Sequence, residues 1–252
     1  MTNIIDAAVF LIIGMIGGFL GSILGIGGGS IMTPLLLASG YDILVAVPAS
    51  LFAIVGTSLG GLYVYDEKKL INYELGIYAL ALMVPGSITG VLIGTAGFKQ
   101  VMKATLAVVL VITSLTMIRP YLSRNKSVTI QEPRPRPLIG YSSMYLAGLI
   151  SALAGIGGGV LAVPVLNKIM ARDIKEAVAS SKFMVGVTGA AGALGYYLGG
   201  YLSSCLALAL LAGSLLGGLI GSATGVRLSG KTITLLFSGF LMLMAIITLI
   251  KG

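Results

Sequence analysis

The amino-acid sequence predicts an all-α, polytopic membrane protein built from two homologous repeats. Only 16 basic and 8 acidic residues occur in a chain of 252. Hydrophobic residues make up 57%, and the mean hydropathy is +1.05. In addition, the two halves share motifs at nearly one offset. Because a soluble domain of this size has too much surface to cover with so few charges, the chain is expected to lie in a bilayer.

Six segments are apolar and long enough to cross a hydrocarbon core, which takes roughly 20 residues. They are Ala46–Tyr65, Leu75–Gly94, Val101–Ile118, Ala177–Leu198, Leu202–Gly221 and Ile233–Ile250. Two further apolar regions, Ile4–Ser39 and Leu138–Met170, are interrupted by glycine. Each repeat is therefore predicted to hold one glycine-broken segment, re-entrant or paired, plus three transmembrane helices. Residues 1–119 and 138–252 form the predicted repeats, and the polar, proline-rich residues 120–137 form a cytoplasmic linker.

Three motifs recur in the two halves. The motif GIGGG…P begins at Gly25 and again at Gly155, an offset of 130. The segment AVPAS beginning at Ala46 matches AVASS beginning at Ala177, an offset of 131. A ladder of glycines at four-residue spacing also recurs, as Gly86, Gly90 and Gly94 and then as Gly213, Gly217 and Gly221. These matches indicate internal duplication, and duplicated halves with glycine-broken segments are typical of secondary transporters.

At these residues the chain resembles the sulfite exporter TauE/SafE family, also called the TSUP transporters, over essentially its whole length. The family pattern is a duplicated G-x-G-G-G…P segment followed by an A-V-x-T-S-like helix start. Here the Thr-Ser pair is replaced by Ala49-Ser50 in the first half and by Ser180-Ser181 in the second. The resemblance implies export or exchange of a small sulfur oxyanion or an organosulfonate.

The basic residues favour one of two topologies. If each glycine-broken region crosses the membrane once, the repeats are parallel and the two faces carry eight and seven basic residues. If the chain turns back at each GIGGG, one face collects twelve and the other keeps Lys99, Lys103 and Lys251. The positive-inside rule favours the second arrangement. We therefore predict inverted repeats in the cell membrane, with a cytoplasmic linker and both termini outside.

The two GIGGG breaks are the predicted substrate site. So many glycines cannot form a stable helix interior, and broken backbone within a membrane needs protein or a water-filled cavity around it. A helix beginning near Ser30, and its counterpart beginning at Val160, would direct free N–H groups and a positive dipole end towards an anion. The predicted glycine contacts are Gly25, Gly27, Gly28, Gly29, Gly155, Gly157, Gly158 and Gly159. Close packing of helices through small residues is the alternative.

Hydroxyl groups and one lysine complete the predicted site. The hydroxyl candidates near the helices after the breaks are Ser30, Ser50, Ser180 and Ser181, with Thr57 and Thr188 further along. Such hydroxyls either donate to a sulfonate oxygen or bond back to their own helix. Lys182 is the one basic residue well inside a predicted span; it either attracts the anion or snorkels to the cytoplasmic face. The glycine ladders are instead predicted to be packing positions.

Several functional classes are excluded by the residues that the chain lacks. It has no His and one Cys, so it cannot form a Cys/His metal site or a His-dependent triad. The segment Gly225–Thr232 fits G-x-x-x-x-G-K-T, but a phosphate loop needs a preceding strand. The basic residues flank apolar segments, which favours membrane-flanking charge over nucleic-acid binding. We expect no enzyme activity, cofactor, ATP or nucleic acid; the expected partners are a small anionic substrate and the bilayer.

The leading functional hypothesis is therefore a secondary carrier that exports a small sulfur-containing anion, sulfite or an organosulfonate, by alternating access. A small-anion channel is one alternative, although it would need a continuous polar or charged pore. An importer of a sulfur compound such as thiosulfate is the other.

Overall fold

The computed structural model describes residues 4–122, 137–202 and 204–251, and within these ranges all regular structure is helical. The first half contains α1 (Ile4–Leu24), α2 (Gly29–Ala38), α3 (Ile43–Glu67), α4 (Tyr73–Thr95) and α5 (Lys99–Leu122). The second half contains α6 (Pro137–Ala154), α7 (Gly159–Pro164), which continues as a π-helical turn (Val165–Ile169), α8 (Ile174–Leu198), α9 (Ser204–Gly225) and α10 (Gly230–Lys251). Of the predicted linker, residues 120–122 end α5 and Pro137 begins α6, and the rest of the linker lies outside the described residues.

Each predicted span corresponds to one long helix, and each glycine-broken region corresponds to a long helix followed by a short one. Among the described residues, five helices are long and apolar enough to cross a membrane. They are Ile5–Leu24, Ile43–Glu67, Tyr73–Thr95, Ile174–Leu198 and Cys205–Gly225. The all-α, multi-pass membrane fold predicted from composition is therefore confirmed.

The first glycine-broken region is a helical hairpin. Helix α2 has 10 residues, about half the length that a bilayer core requires. It packs back along α1. Gly17 of α1 lies so close to Met32 of α2 that a Cβ added to Gly17 would be 2.5 Å from Cγ of Met32. Beyond α2, the Tyr41 hydroxyl donates to Asp6 Oδ1 at 2.8 Å, which returns the chain to the level at which α1 begins. The chain therefore turns back at the first GIGGG.

The second glycine-broken region has the same shape. Helix α7 and its π-helical turn follow the break at Gly155–Gly158. A Cβ on Gly140, near the start of α6, would lie 2.6 Å from Cγ of Met170, which directly follows the π-helical turn. The end of this returning segment therefore lies beside the beginning of α6, as Tyr41 lies beside the beginning of α1.

Helices α3 and α8, which correspond in the two repeats, run in opposite directions. Asn72, in the loop after α3, donates from Nδ2 to Glu176 Oε1 in the first turn of α8 at 3.1 Å. Further along, a Cβ on Gly189 of α8 would lie 3.1 Å from the carbonyl oxygen of Leu51, near the start of α3. This antiparallel pair is what inverted repeats require. Inversion of the complete repeats stays a prediction.

The glycine ladders let two pairs of helices approach closely. A Cβ on Gly90 of α4 would overlap the carbonyl oxygen of Leu149 of α6. Likewise, a Cβ on Gly217 of α9 would overlap the carbonyl oxygen of Met15 of α1. Since only glycine leaves room for backbone-to-backbone contact at these points, the prediction that the ladders serve packing is confirmed.

Candidate functional site

The two GIGGG breaks pack directly against each other at the buried centre of the molecule. A Cβ on Gly29 would overlap the carbonyl oxygen of Gly155. One on Gly159 would lie 2.7 Å from the carbonyl oxygen of Gly25. Ile26, within the first break, is fully buried. Segments that are 130 residues apart in the chain therefore form one contact, as expected if they build a shared site.

The surroundings of the two breaks are also related by the repeat. Gly25 lies against Val178 of α8, and a Cβ there would be 2.9 Å from the valine Cα. Gly155 lies against Val47 of α3 at the same 2.9 Å. Val47 and Val178 are 131 residues apart, so they occupy equivalent positions in the two repeats. Each break is thus covered by the first turns of the long helix from the other half.

The breaks end in helix N-termini that carry unpaired N–H groups. Gly28, the N-cap of α2, adopts a left-handed conformation with φ +83° and provides no side-chain cap. Among the described residues, Ile31 is the first of α2 whose N–H reaches a carbonyl, that of Gly28 at 3.0 Å. In the second break, the corresponding bond joins Leu161 to Gly158 at 3.1 Å. Because helix N-termini attract negative charge, two such ends, each packed against the opposite break, favour an anion.

Two predicted hydroxyls near these N-termini are buried without a partner. Ser30 lies in the first turn of α2, and Ser50 lies one turn beyond Val47 on α3. Both residues have 0% exposure, and neither Oγ has a hydrogen-bond partner within the described part of the chain. An unmade hydrogen bond at a buried hydroxyl costs about 1–3 kcal/mol. These two groups are therefore the best placed of the predicted hydroxyls to donate to a ligand.

Two other hydroxyls hold the breaks together. The Ser181 hydroxyl lies 2.7 Å from the carbonyl oxygen of Gly25, and 2.7 Å from that of Val178 in its own helix. The Thr33 hydroxyl donates to the carbonyl oxygen of Gly155 at 3.0 Å. Sequence reasoning missed Thr33, although it lies within the repeated motif, because its counterpart in the second half is Val163 and no repeat pointed to it.

The remaining hydroxyl candidates lie away from the contact between the breaks or bond locally. Ser180 accepts a hydrogen bond from the Asn72 N–H at 2.9 Å, so it holds the loop after α3. Thr57 and Thr188 donate to carbonyl oxygens four residues earlier in their own helices, at 3.4 and 2.7 Å. Each of these three hydroxyls therefore has a protein partner outside the breaks.

Lys182 is fully buried and does not snorkel to the membrane surface. Its side chain has 0% exposure. Its Nζ donates to the carbonyl oxygen of Gly21 at 3.0 Å and to Ser22 Oγ at 2.9 Å. Both acceptors belong to the last turn of α1, immediately before the first break. The snorkelling alternative is therefore wrong for this structure, and the charge lies next to the predicted site.

Comparisons with known proteins agree with this architecture. The family model described as sulfite exporter TauE/SafE matches residues 10–248. The chain belongs to the sulfite exporter TauE/SafE family. It is 26% identical over 212 residues to the probable membrane transporter protein YunE of Bacillus subtilis (strain 168), covering 75% of this chain and 78% of that protein. No solved structure matches the chain.

Two further relatives carry the same description. A probable membrane transporter protein of Haemophilus influenzae is 31% identical over 196 residues, which cover 71% of this chain and 70% of that protein. A probable membrane transporter protein of Methanocaldococcus jannaschii is 28% identical over 197 residues, covering 75% and 71%. This TauE/SafE chain is therefore a multi-pass membrane transporter with a small-molecule substrate, and it is not an enzyme.

The glycines of this transporter's breaks serve both the turn and the contact between the breaks. Positive φ angles occur at Gly25, Gly27, Gly28, Gly155, Gly157 and Gly158. Gly29 and Gly159 instead begin their helices and are needed because a Cβ would strike the facing break. Close packing, the alternative reading of the motif, therefore accounts for these two positions.

The segment that fits a phosphate-loop pattern is a helix cap in this transporter. Gly225 ends α9, and its carbonyl accepts from the N–H of Leu228 at 3.1 Å. Ser229 Oγ accepts from the N–H of Thr232 at 3.2 Å, which caps the start of α10. The segment joins two helices instead of following a strand, so its geometry is that of a connection between spans.

Proposed function

We propose that this transporter is a secondary carrier that exports a small sulfur-containing anion, such as sulfite or an organosulfonate, by alternating access. The observation that carries the proposal is the contact between the two breaks, where the N-terminal glycines of α2 and α7 each pack against the opposite break, together with the unpartnered hydroxyls of Ser30 and Ser50. Backbone N–H and hydroxyl groups are neutral donors. A shell of such donors holds an oxyanion without the strong ion pair that would slow its release.

The substrate is proposed to lie between the breaks once they separate. Its contacts would come from the glycines of both breaks and from Ser30, Ser50 and Lys182. Ser181 would hold the first break in place, because its single O–H already reaches the carbonyl oxygen of Gly25. Ser180 is left out, because its hydroxyl contacts the loop after α3, where it accepts from the Asn72 N–H. Sulfite and sulfonates fit this set because each presents oxygen acceptors in several directions to donors that arrive from both repeats.

The antiparallel α3 and α8 and the two hairpins support alternating access. In transporters with inverted repeats, two halves of equivalent structure move against each other and open the substrate site to one membrane face at a time. The linker and the face rich in basic residues are proposed to be cytoplasmic, and the termini extracellular, in the plasma membrane. With the cell interior negative, each exported negative charge gains about 2.3 kcal/mol per 100 mV.

A flux assay with purified protein in proteoliposomes tests this function. Vesicles would be loaded in turn with sulfite, thiosulfate, sulfate, sulfoacetate and taurine. We expect saturable efflux and counterflow for at least one sulfur anion. We expect Ser30→Ala to raise its apparent KM about tenfold or more, since the hydrogen bond lost is to a charged group. Ser142→Ala, which removes an exposed hydroxyl on α6, is the control and should behave as wild type.

Two results would contradict the proposal. Absence of transport for the whole panel, in protein that is folded and inserted, would exclude a sulfur-anion substrate. Unitary currents in planar bilayers would show a channel in place of a carrier.

A further inference from the structure

Lys182 is a buried basic side chain whose observed partners are all neutral. Its ammonium group donates to the carbonyl oxygen of Gly21 and to Ser22 Oγ. Neither of the ion pairs Lys99–Asp42 and Arg172–Glu176 involves Lys182. An ammonium has three N–H donors, and a buried charge is costly without a counter-charge. The position therefore suits an anion.

A second hydroxyl beside the lysine stem has no partner. Ser222 of α9 has 0% exposure, and its Oγ makes no hydrogen bond to the described residues. A Cβ on Gly61 of α3 would lie 3.0 Å from Lys182 Cδ and 3.1 Å from Ser222 Oγ, so the two groups border the same point. Ser22, Lys182 and Ser222, here called the Lys182 cluster, therefore bring one cation and two hydroxyls together between α1, α3, α8 and α9.

The Lys182 cluster has no equivalent in the other half of the molecule. The repeat counterpart of Lys182 is Leu51, and that of Ser22 is Ala152. Leu51 packs on glycine, since a Cβ on Gly192 would lie 3.2 Å from its Cδ1. The charge is thus present on one side of the contact between the breaks and replaced by an apolar side chain on the other.

The Lys182 cluster lies towards the end of the molecule that carries the linker. Ser180, two residues before Lys182, is bonded to Asn72 in the loop after α3. Lys68 and Lys69 precede that loop residue, and Arg172 directly precedes the cap of α8. This is the end with most of the basic residues, which the proposed function makes cytoplasmic.

We propose that the Lys182 cluster is a one-sided anion subsite, which receives a small oxyanion from the linker side before it reaches the breaks. The inference rests on the proposed function and adds to it the side on which the anion binds more tightly. An arriving oxygen would replace Gly21 or Ser22 as acceptor of the ammonium, with the Ser222 hydroxyl as a further donor. The Gly21 carbonyl also accepts from the Ile26 N–H at 3.0 Å, so capture of the anion alters contacts of the first break.

Calorimetric titration of the purified, full-length protein in detergent tests the subsite, with sulfite, thiosulfate and sulfoacetate as separate probes. We expect Lys182→Gln to weaken binding of the probe anion about tenfold or more, and Ser222→Ala to weaken it several-fold, since each removes a donor to a charged group. Lys182→Arg keeps the charge and should restore part of the affinity. Lys68→Gln removes an exposed lysine from the same end and should change the affinity less than about twofold.

Flux measurements add a readout that a structural role of Lys182 would not change. In proteoliposomes of known orientation, wild-type protein should show a lower apparent KM for the probe anion on the linker side than on the opposite side. Lys182→Leu, which copies the residue of the other repeat, should remove this difference. If wild-type protein neither binds nor carries any probe anion, both the proposed function and the subsite are wrong.

If wild-type protein binds a probe anion and Lys182→Gln binds it equally well, the subsite alone is wrong. Should the Lys182 variants fail to fold, the Ser222→Ala variant tests the subsite in their place. Unchanged affinity of that variant for the probe anion would overturn the proposal.

Discussion

At the residue scale, Ser50 and Ser181 occupy equivalent positions in the two repeats but have different partners. The Ser181 hydroxyl reaches the carbonyl oxygen of Gly25 at 2.7 Å. The equivalent carbonyl, that of Gly155, is taken by the Thr33 hydroxyl at 3.0 Å. Ser50 is therefore left without a partner among the described residues. Duplicated positions have therefore diverged into one whose hydroxyl contacts a break and one whose hydroxyl is unpartnered, which the proposed function assigns to substrate.

This difference predicts opposite effects of two alanine substitutions. Ser181→Ala removes a protein hydrogen bond and should lower the free energy of unfolding by about 1 kcal/mol. Ser50→Ala should leave stability unchanged or slightly raised and should weaken apparent substrate affinity by about 1.5–3 kcal/mol. Thermal unfolding in detergent and apparent KM in proteoliposomes measure the two quantities. Wild-type affinity in Ser50→Ala would exclude that hydroxyl from the site.

An ion pair at the ends of α3 and α5 predicts a dependence of stability on pH. Lys99 Nζ lies 2.7 Å from Asp42 Oδ2, and this hydrogen bond, with that from the Leu44 N–H, lowers the pKa of Asp42 below its ordinary 3.8. Because the folded-state pKa is the lower one, the stabilisation is complete above pH 3.8 and is lost as the pH falls through the folded-state pKa.

Asp42→Asn, which keeps the helix-capping oxygen, tests this ion pair. The pair is about half exposed, so we expect a loss of at most about 1 kcal/mol at pH 7 and a smaller difference from wild type at pH 3. Thermal unfolding at both pH values measures it. Glu67→Gln, at the exposed end of α3, is the control. An equal difference between wild type and Asp42→Asn at both pH values would assign the effect to something other than the ion pair.

At the element scale, small residues determine which helices touch. The ladders bring α4 onto α6 and α9 onto α1 at distances that admit no side chain. The positive φ angles at the breaks let α2 and α7 turn back beside the helices that precede them. Glycine thus performs two tasks in this transporter: it reverses the chain at the breaks, and it removes side chains where long helices cross.

The packing role of the ladders predicts a loss of stability from a single methyl group. In Gly90→Ala, the new Cβ would overlap the carbonyl oxygen of Leu149, and overpacking of this kind costs about 1–3 kcal/mol. Gly239→Ala is the matched control, because a Cβ there meets nothing within 4 Å. The control should be neutral or more stable, as alanine favours helix. Equal unfolding temperatures for the two variants would contradict the packing role, and apparent KM should stay near wild type in both.

At the scale of the whole molecule, two hairpins enter from opposite ends and meet at their breaks. The first starts beside Asp6 and Tyr41, at the end where α3 begins. The second ends shortly before α8, whose first turn lies beside Asn72 at the end where α3 finishes. Both N-terminal helix ends thus reach the middle of the molecule. There, a small opening towards either end would expose the same groups to one membrane face at a time.

This arrangement predicts which loops share a membrane face. In a Cys205→Ser background, single cysteines at Lys68 and Arg172 should be shielded from an impermeant thiol reagent in intact cells. A cysteine at Gln100, beside Lys99 at the other end of α4 and α5, should react. All three positions are exposed, so access in permeabilised cells is the control. Labelling of Arg172 and Lys68 from opposite faces would disprove inverted repeats, and the reverse pattern for all three would invert the proposed orientation.

The sequence alone determined the helices, the two breaks and the duplication. These features depend on properties of neighbouring residues: a run of apolar residues forms a spanning helix, clustered glycines end it, and a repeat is visible by comparing the two halves. The packing role of Gly90 and Gly217 was predictable for the same reason, since four-residue spacing places small residues on one helix face.

Only the tertiary structure decided which polar groups have a partner within the protein and which have none among the described residues. Thr33 and Gly155 are 122 residues apart, Ser181 and Gly25 are 156 apart, and Lys182 lies 161 residues from Gly21. These partners depend on how helices that are far apart in the sequence cross each other. Every contact along both helices contributes to that crossing. Neither the burial of Lys182 nor the difference between Ser50 and Ser181 is therefore visible in the local pattern of residues.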